Sequence, residues 1–450
     1  MGGGIMQVIR SSKENYITGN PQMTFFKSVY RRHTNFAMET MEVPMNSTPT
    51  SDESTVTATV PKNAGDLLGY MFYDILLTAV DNGGGIDKVM WTPSTGYAIL
   101  KETSIIIGSQ VIETIVSEWN DIWNELTDID NKEHFLVNKV LDNQIQNEYA
   151  DKITDKQGPS LQMYVPIKFF FCKNTGLHIP LISLQYDEVQ IKTTFRKSNF
   201  LMNCESTTAI VDNTNNPEIK LFANYIYLDT DERRQFAQKP QEYLIEQVQH
   251  NGKKSLSDGL HELNFNHLVK EIVWVCKKTS VEEADIKTKN TDIVHNYPTT
   301  SNERTTNITF HGNDYFNYTV PTHKTENGNI AELEDNIQYI RGDTISREPF
   351  KTAKLILDGN DRTEEFKASY FRTLQPYFHH SKVPQKFIYC YSFALYPEKY
   401  QPMGFCDFSK YKNVSLSLTN TMSNANLLVF SLGYNILRIK EGKAGLAYLI

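Results

Sequence analysis

The chain has few cysteines, no long apolar run and no excess of positive charge, and each shortage removes a class of protein. Five cysteines stand in 450 residues: Cys172, Cys204, Cys276, Cys390 and Cys406. They are too scattered for a disulfide scaffold, and none pairs in a C-x-x-C arrangement. Zinc and redox motifs are therefore absent, and reduced thiols are the expectation. A membrane-spanning helix needs about 18 or more apolar residues in a row. One of the longest runs here, Ile167 to Cys172, already contains Lys168. Met1-Gly2-Gly3-Gly4-Ile5-Met6 offers no hydrophobic signal region, and Met6 stands where myristoylation wants Ser or Thr. The expectation is a soluble chain outside the secretory route, with the N-x-Ser/Thr sequons at Asn46, Asn307, Asn317 and Asn413 unused. Lys and Arg number 45 against 53 Asp and Glu, a net charge of −8. That balance lacks the footprint of a nucleic-acid binder, so no direct contact with nucleic acid is expected.

What the chain has is hydrophobic material in alternation. Hydrophobic residues make up 40%, with 24 Tyr and 24 Phe, enough for the two cores that this length predicts. Val189, Ile191, Thr193 and Phe195 alternate with Gln190, Lys192 and Thr194. Val414, Leu416 and Leu418 repeat the pattern, as do Phe387, Tyr389, Tyr391 and Phe393, and Ile105, Ile107 and Val111 begin a fourth case. Leu221 to Leu228 and Ile272 to Val275 are apolar on both faces, as in a buried sheet. The chain reads as mostly β.

Helical signals are local. Trp119, Ile122, Trp123 and Leu126 share one helical face, with Ser117 as the expected N-cap and the tryptophans packed under a sheet edge. Phe135 to Leu141 reads as a second short helix. Asp229, with Glu232 three residues on, opens another through Phe236, and Pro240 stops it. This punctuation divides the chain into a first domain at 25–229, a linker at 230–243 and a second domain at 244–450. Pro180 and Pro402 each precede an alternating strand, a faint echo of duplication. Residues 277–348 are polar, Asn/Thr-rich and weakly periodic, and read as a surface insertion in the second domain.

Catalytic patterns do not assemble. His261-Glu262 with His267 misses the H-E-x-x-H spacing. Gly83-Gly84-Gly85 lacks the Lys-Ser/Thr of a phosphate loop and suits a hairpin tip. Asp187 and Glu188, as neighbours on a strand, would point to opposite faces and could not flank one glycosidic bond. No catalytic, metal-binding or cofactor-binding residue is assigned.

The most informative stretch is Ile17 to Phe36. Thr18-Gly19-Asn20-Pro21 is turn chemistry, and Thr24 to Phe36 reads as an extended arm or edge carrying Lys27, Arg31, Arg32 and His33. So much charge suits a surface that meets another surface, with Glu39 and Glu42 as possible local partners. Asn20, Pro21, Phe25, Phe26, Lys27, Tyr30, Arg31 and Arg32 are the candidate interface residues. Residues 1–24 are too polar and glycine-rich to order alone and form an arm.

This stretch closely resembles the N-terminal signature of the major capsid proteins of nucleocytoplasmic large DNA viruses. Further segments follow in that family's order: Gly176 to Val189, Tyr225 to Gln249, Leu263 to His267, Leu357 to Arg362, Ser369 to Tyr377, Tyr391 to Ser409, and Tyr434 to Leu449. The resemblance implies an all-β tandem double jelly roll, two eight-stranded antiparallel sandwiches with a few short helices. It further implies homotrimers forming pseudo-hexagonal capsomers of an icosahedral shell, in contact with neighbouring capsomers and with minor capsid or cement proteins. An internal membrane would lie beneath, unspanned, and the site of action would be the virion, assembled in the host cytoplasm. Lys443-Ala444-Gly445-Leu446-Ala447-Tyr448 departs from the family's glycine-richer ending by adding charge. Two alternatives stay open: a minor capsid paralogue or scaffold of the same fold, and a jelly-roll carbohydrate-binding protein.

Overall fold

The computed structural model describes Ile5 and residues 14–78, 80–81, 89–133, 136–137, 157–158, 160–204, 215–279, 292–296, 307–311, 313–318, 322–324, 330–332, 337–340 and 348–448. The first sandwich uses β1 (Phe36–Val43), β2 (Ser54–Thr59), β3 (Leu67–Leu77), β4 (Leu100–Ile107), β5 (Gln110–Val116), β6 (Leu161–Pro166), β7 (Val189–Phe195) and β8 (Glu218–Leu228). One sheet runs β1-β8-β3-β6, with Ile179–Pro180 also on β3, and the other runs β2-β7-β4-β5. The second sandwich repeats the order with β9 (Gln241–Ser255), β10 (Gly259–Glu262), β11 (Leu268–Lys278), β12 (Thr352–Leu357), β13 (Asn360–Asp361), β14 (Tyr389–Ser392), β15 (Val414–Thr419) and β16 (Ala425–Lys440). Its sheets run β9-β16-β11-β14 and β10-β15-β12-β13. Apart from the hairpins β4–β5 and β12–β13, strands adjacent in these sheets are antiparallel and distant in sequence, which is jelly-roll connectivity.

Alternation sets which side chains enter each core. On β3, Met71, Tyr73 and Ile75 are buried, and Tyr73 hydrogen-bonds Thr193 of β7 at 2.6 Å; Phe72 and Asp74 between them are half-buried, and Tyr70 just before them is exposed. The run Ile105 to Val111 proves to be two strands. Gly108 takes a φ of +63° between them, and a Cβ there would lie 2.8 Å from the Asp187 carboxylate. Asp187 itself precedes β7 and accepts the Ala444 N–H at 2.8 Å, so it links the sandwiches.

Two helices carry the junctions. In α1 (Ser117–Thr127) the cap is Val116; Ser117 is already helical and bonds the Glu118 carboxylate, because a strand runs straight into the helix. In α2 (Thr230–Gln238), Asp229 caps the Glu232 N–H at 2.9 Å, and the helix continues two residues beyond Phe236. Within the Phe135–Leu141 region only 136–137 are described, as a turn, and Gly83–Gly85 lie outside the described residues.

Of residues 277–348, read as a surface excursion, some of the described parts are buried. Lys277 and Lys278 finish β11 in buried positions, and Asn313, Tyr315, Phe316 and Tyr318 are buried against the first sandwich. Strands Asp292–Asn296, Asn307–His311 and Ile337–Ile340 join Met202–Cys204 and Val89–Trp91 of the first domain in one sheet. Backbone pairing needs no apolar alternation, so polar composition concealed these strands. In the stretch from 24 to 36, read as an extended arm or edge, regular pairing starts only at Phe36 and residues 20–35 carry no strand, so the segment is not a sheet edge.

Candidate assembly surfaces

The arm comes first. Asn15–Thr18 is a short helix, exposed throughout, and Asn20 takes a φ of 48°, in keeping with the turn read there. From Asn20 to Asn35 every residue is exposed: Phe25 by 87%, Phe26 by 98% and Tyr30 by 81%. Lys27, Arg31 and Arg32 are exposed as well and make no ion pair with Glu39 or Glu42 among the described residues. All eight candidate residues thus stand outside the sandwich. Bare aromatics in a row beside cations are the kind of surface that marks interaction sites.

The second feature, unseen in the sequence, is a buried polar seam between the sandwiches. The Trp119 ring stacks on Trp123 at 5.5 Å and lies 5.4 Å from Phe430 of β16, so the pair fills the junction rather than a sheet edge. Lys277 reaches across from β11, 3.0 Å from the Glu118 carboxylate and 2.8 Å from the Tyr315 carbonyl. Arg196 donates to the Ala98 carbonyl at 2.6 Å and stands 4.4 Å from the Tyr315 ring centre. Lys386 holds both Asp121 oxygens, at 2.6 and 2.8 Å, and Tyr318 donates to the same carboxylate. Burial alone would push the Glu118 carboxyl up; Lys277 and Arg196 outweigh it and hold the group ionised, well below the usual range.

Other seam groups shift in the opposite sense. Burial pushes Glu113 up to about 7, against Lys173 and two backbone donors. Burial also works against the His380 cation, but Glu271, 2.9 Å away, reverses the sign and raises its pKa well above the ordinary value. A sequence signal existed for this seam. Lys270, Glu271 and Lys277 interrupt the apolar run of β11, and charge inside a strand buried on both faces must be paired there.

Third come bare apolar faces. On the outer side of the β1-β8-β3-β6 sheet, Phe72 stacks on Phe222 at 5.4 Å, flanked by Tyr70, Tyr164 and Met38, which are 47%, 43% and 62% exposed. In the second sandwich, α3 (Gln375–His379) and the turn before it leave Leu374, Tyr377 and Phe378 exposed by 43%, 69% and 61%.

A cleft of about 530 Å³ at the seam has the aromatic and carboxylate lining that sugar binding requires, with Trp123, Tyr400, Glu246 and Glu398. Its charges are already engaged. Glu246 pairs with Lys270, Glu398 with His380 and Ser381, and Lys173 covers the Trp123 ring. Among the described residues no cluster of His, Cys, Asp or Glu could hold a metal, and four of the cysteines, Cys172, Cys276, Cys390 and Cys406, are free thiols.

Two family models match the chain in tandem. Residues 24–229 match the major capsid protein N-terminus, and residues 232–445 match the large eukaryotic DNA virus major capsid protein. The major capsid protein of Pyramimonas orientalis virus is 34% identical, and that of Paramecium bursaria Chlorella virus 1 is 32% identical. Both alignments cover all of this chain and all of the relative. Among solved structures, the PBCV-1 virus capsid superposes with a TM-score of 0.72 at 27% identity, over 95% of this chain and 100% of that one. The Faustovirus major capsid protein shares the fold, with a TM-score of 0.70 at 12% identity. The tandem jelly rolls and the matches along both of them show that this chain belongs to the major capsid protein family of large eukaryotic DNA viruses.

Proposed function

We propose that three copies of this capsid protein close into a pseudo-hexagonal capsomer and that such capsomers tile an icosahedral shell. The carrying observation is the seam: two sandwiches of one connectivity are locked side by side by buried ion pairs and aromatic stacking. A rigid pair of like-shaped domains supplies two of six near-equivalent positions, and three chains supply all six. The chain then works by shape, with no catalytic step. The packed units are 25–229 and 244–450, joined by 230–243.

In this reading the arm, with Asn20, Pro21, Phe25, Phe26, Lys27, Tyr30, Arg31 and Arg32, faces inward and orders against neighbouring capsomers or minor capsid proteins. No helix among the described residues is long and apolar enough to cross a membrane, in keeping with a shell that lies over a lipid layer without spanning it. The acidic balance supports a shell that makes no direct contact with the genome, with assembly in the host cytoplasm.

Light scattering tests the trimer, with three 51.7 kDa chains giving about 155 kDa. A stable monomer at micromolar concentration sinks it. Deleting residues 1–20 should leave trimers with an unchanged melting temperature but impair closure into shells. Normal shells without the arm would show that the arm has another role.

A further inference from the structure

The intramolecular seam is a template for a contact that the single chain leaves unmade. In the second sandwich the sheet β9-β16-β11-β14 is buried on both faces. Trp274, Cys276 and Val429 face its own core, whereas Val273, Val275 and Phe430 are buried in the first sandwich's cluster. What covers that outer face is α1, the helix between β5 and β6, which sets Trp119 against Phe430.

The first sandwich has the same sheet in the same order, β1-β8-β3-β6, and among the described residues nothing covers its outer face. Its outer face carries Tyr70, Phe72, Tyr164 and Phe222. The second sandwich has a segment in the place of α1, between β13 and β14, and that segment shows solvent Leu374, Tyr377 and Phe378. One repeat therefore has a covered sheet and the other a bare one; one has a seated helix and the other an unseated one. Large apolar patches of this kind mark interaction sites.

We infer that the Tyr70–Phe72–Phe222 face of one copy receives the Leu374–Tyr377–Phe378 segment of the next, repeating between chains the contact that α1 makes within one. The contact is heterologous, because face and segment are different surfaces, and such contacts generate a ring when the rotation closes. This rests on the trimer reading and gives it its contact residues. A second copy is the occupant because the chain already contains the matching half-contact.

The test uses the full chain, with Tyr70→Asp and Phe378→Asp made separately at exposed positions. Each is expected to melt as wild type yet to dissociate at concentrations about 100-fold higher. A double variant, Tyr70→Cys with Tyr377→Cys, is expected to give a disulfide ladder ending at the trimer on a non-reducing gel, with none from oxidised wild type. If an Asp variant fails to fold, this ladder decides, and its absence overturns the inference. Wild-type trimers with equally stable Asp variants overturn the face assignment and leave the trimer standing, the face then serving a different partner. A wild-type monomer overturns the trimer reading and the inference together.

Discussion

The two sandwiches share one strand order and differ in what their outer sheets meet. In β11, Leu268–Lys278, nearly every residue is buried, and the sequence is an almost unbroken apolar run with a few charges. In β3, at the matching place, burial alternates from Met71 to Leu77. A strand buried on both faces needs apolar residues at every position, whereas one buried on one face needs them at every second. The comparison shows which sheet is an internal wall of the chain. It also shows that a bare face need not be polar, since the outward positions of β3 include Tyr70 and Phe72.

The sharpest way to break the comparison is to remove a charge from the wall. Lys277→Ala leaves the buried Glu118 carboxylate without its hydrogen-bonded cation, with Arg196 alone still acting on it, and should cost about 3–5 kcal/mol, read by urea unfolding. The exposed pair Lys101–Glu53, 2.9 Å apart in the first sandwich, should yield at most about 1 kcal/mol when broken. Equal effects would mean that the seam is solvated.

Next in size is the pH dependence of Glu113, whose carboxyl rises from 4.5 to about 7 in the fold. The folded state holds this proton more tightly than the unfolded chain, so its stabilising share is complete below pH 4.5 and lost as pH rises through 7. The loss is about 3 kcal/mol for such a shift, and Glu113→Gln should flatten the slope of stability against pH between 5 and 7. Glu118 and His380 act at the two ends. The share from Glu118 is lost as pH falls below 4.5, and that from His380 as pH rises through its elevated pKa. An unchanged slope in Glu113→Gln would show that the carboxyl titrates freely.

Smaller still is the hinge between the repeats. Asp229→Ala removes the cap of α2 and should cost about 1 kcal/mol, seen as a small fall in melting temperature. The smallest effect expected is none: reducing agent should leave the melt unchanged, given four free thiols among the described residues. A marked drop would reveal a pairing that involves Cys204.

Alternation and capping were legible because they are local. β7 and β15 lie where period-2 patterns placed them, and Asp229 caps the helix it was read to cap. Ser117 is helical rather than the cap, since the signal for a cap, a hydroxyl before an apolar face, does not reveal that β5 enters the helix without a break. The burial of Asn313 to Tyr318 was invisible for a different reason. Asn313 meets the Asn203 side chain and the Phe200 carbonyl, partners more than a hundred residues away, so nothing nearby marks it as core.

By itself the sequence determined a mostly β chain, a capped helix at Asp229 and a charged aromatic segment ahead of the first strand, through side-chain period, capping and turn chemistry within a few positions. The tandem of antiparallel sandwiches came from the resemblance to the capsid family, carried by motifs spread along the whole length. Only the tertiary structure decided that the sandwiches share a buried seam, that Trp119 belongs to both, and that one sheet is covered and its twin bare. Those outcomes depend on which surfaces meet across the chain, and charges such as Lys277 and Glu118 take on meaning only when burial removes the water that would otherwise hold them apart.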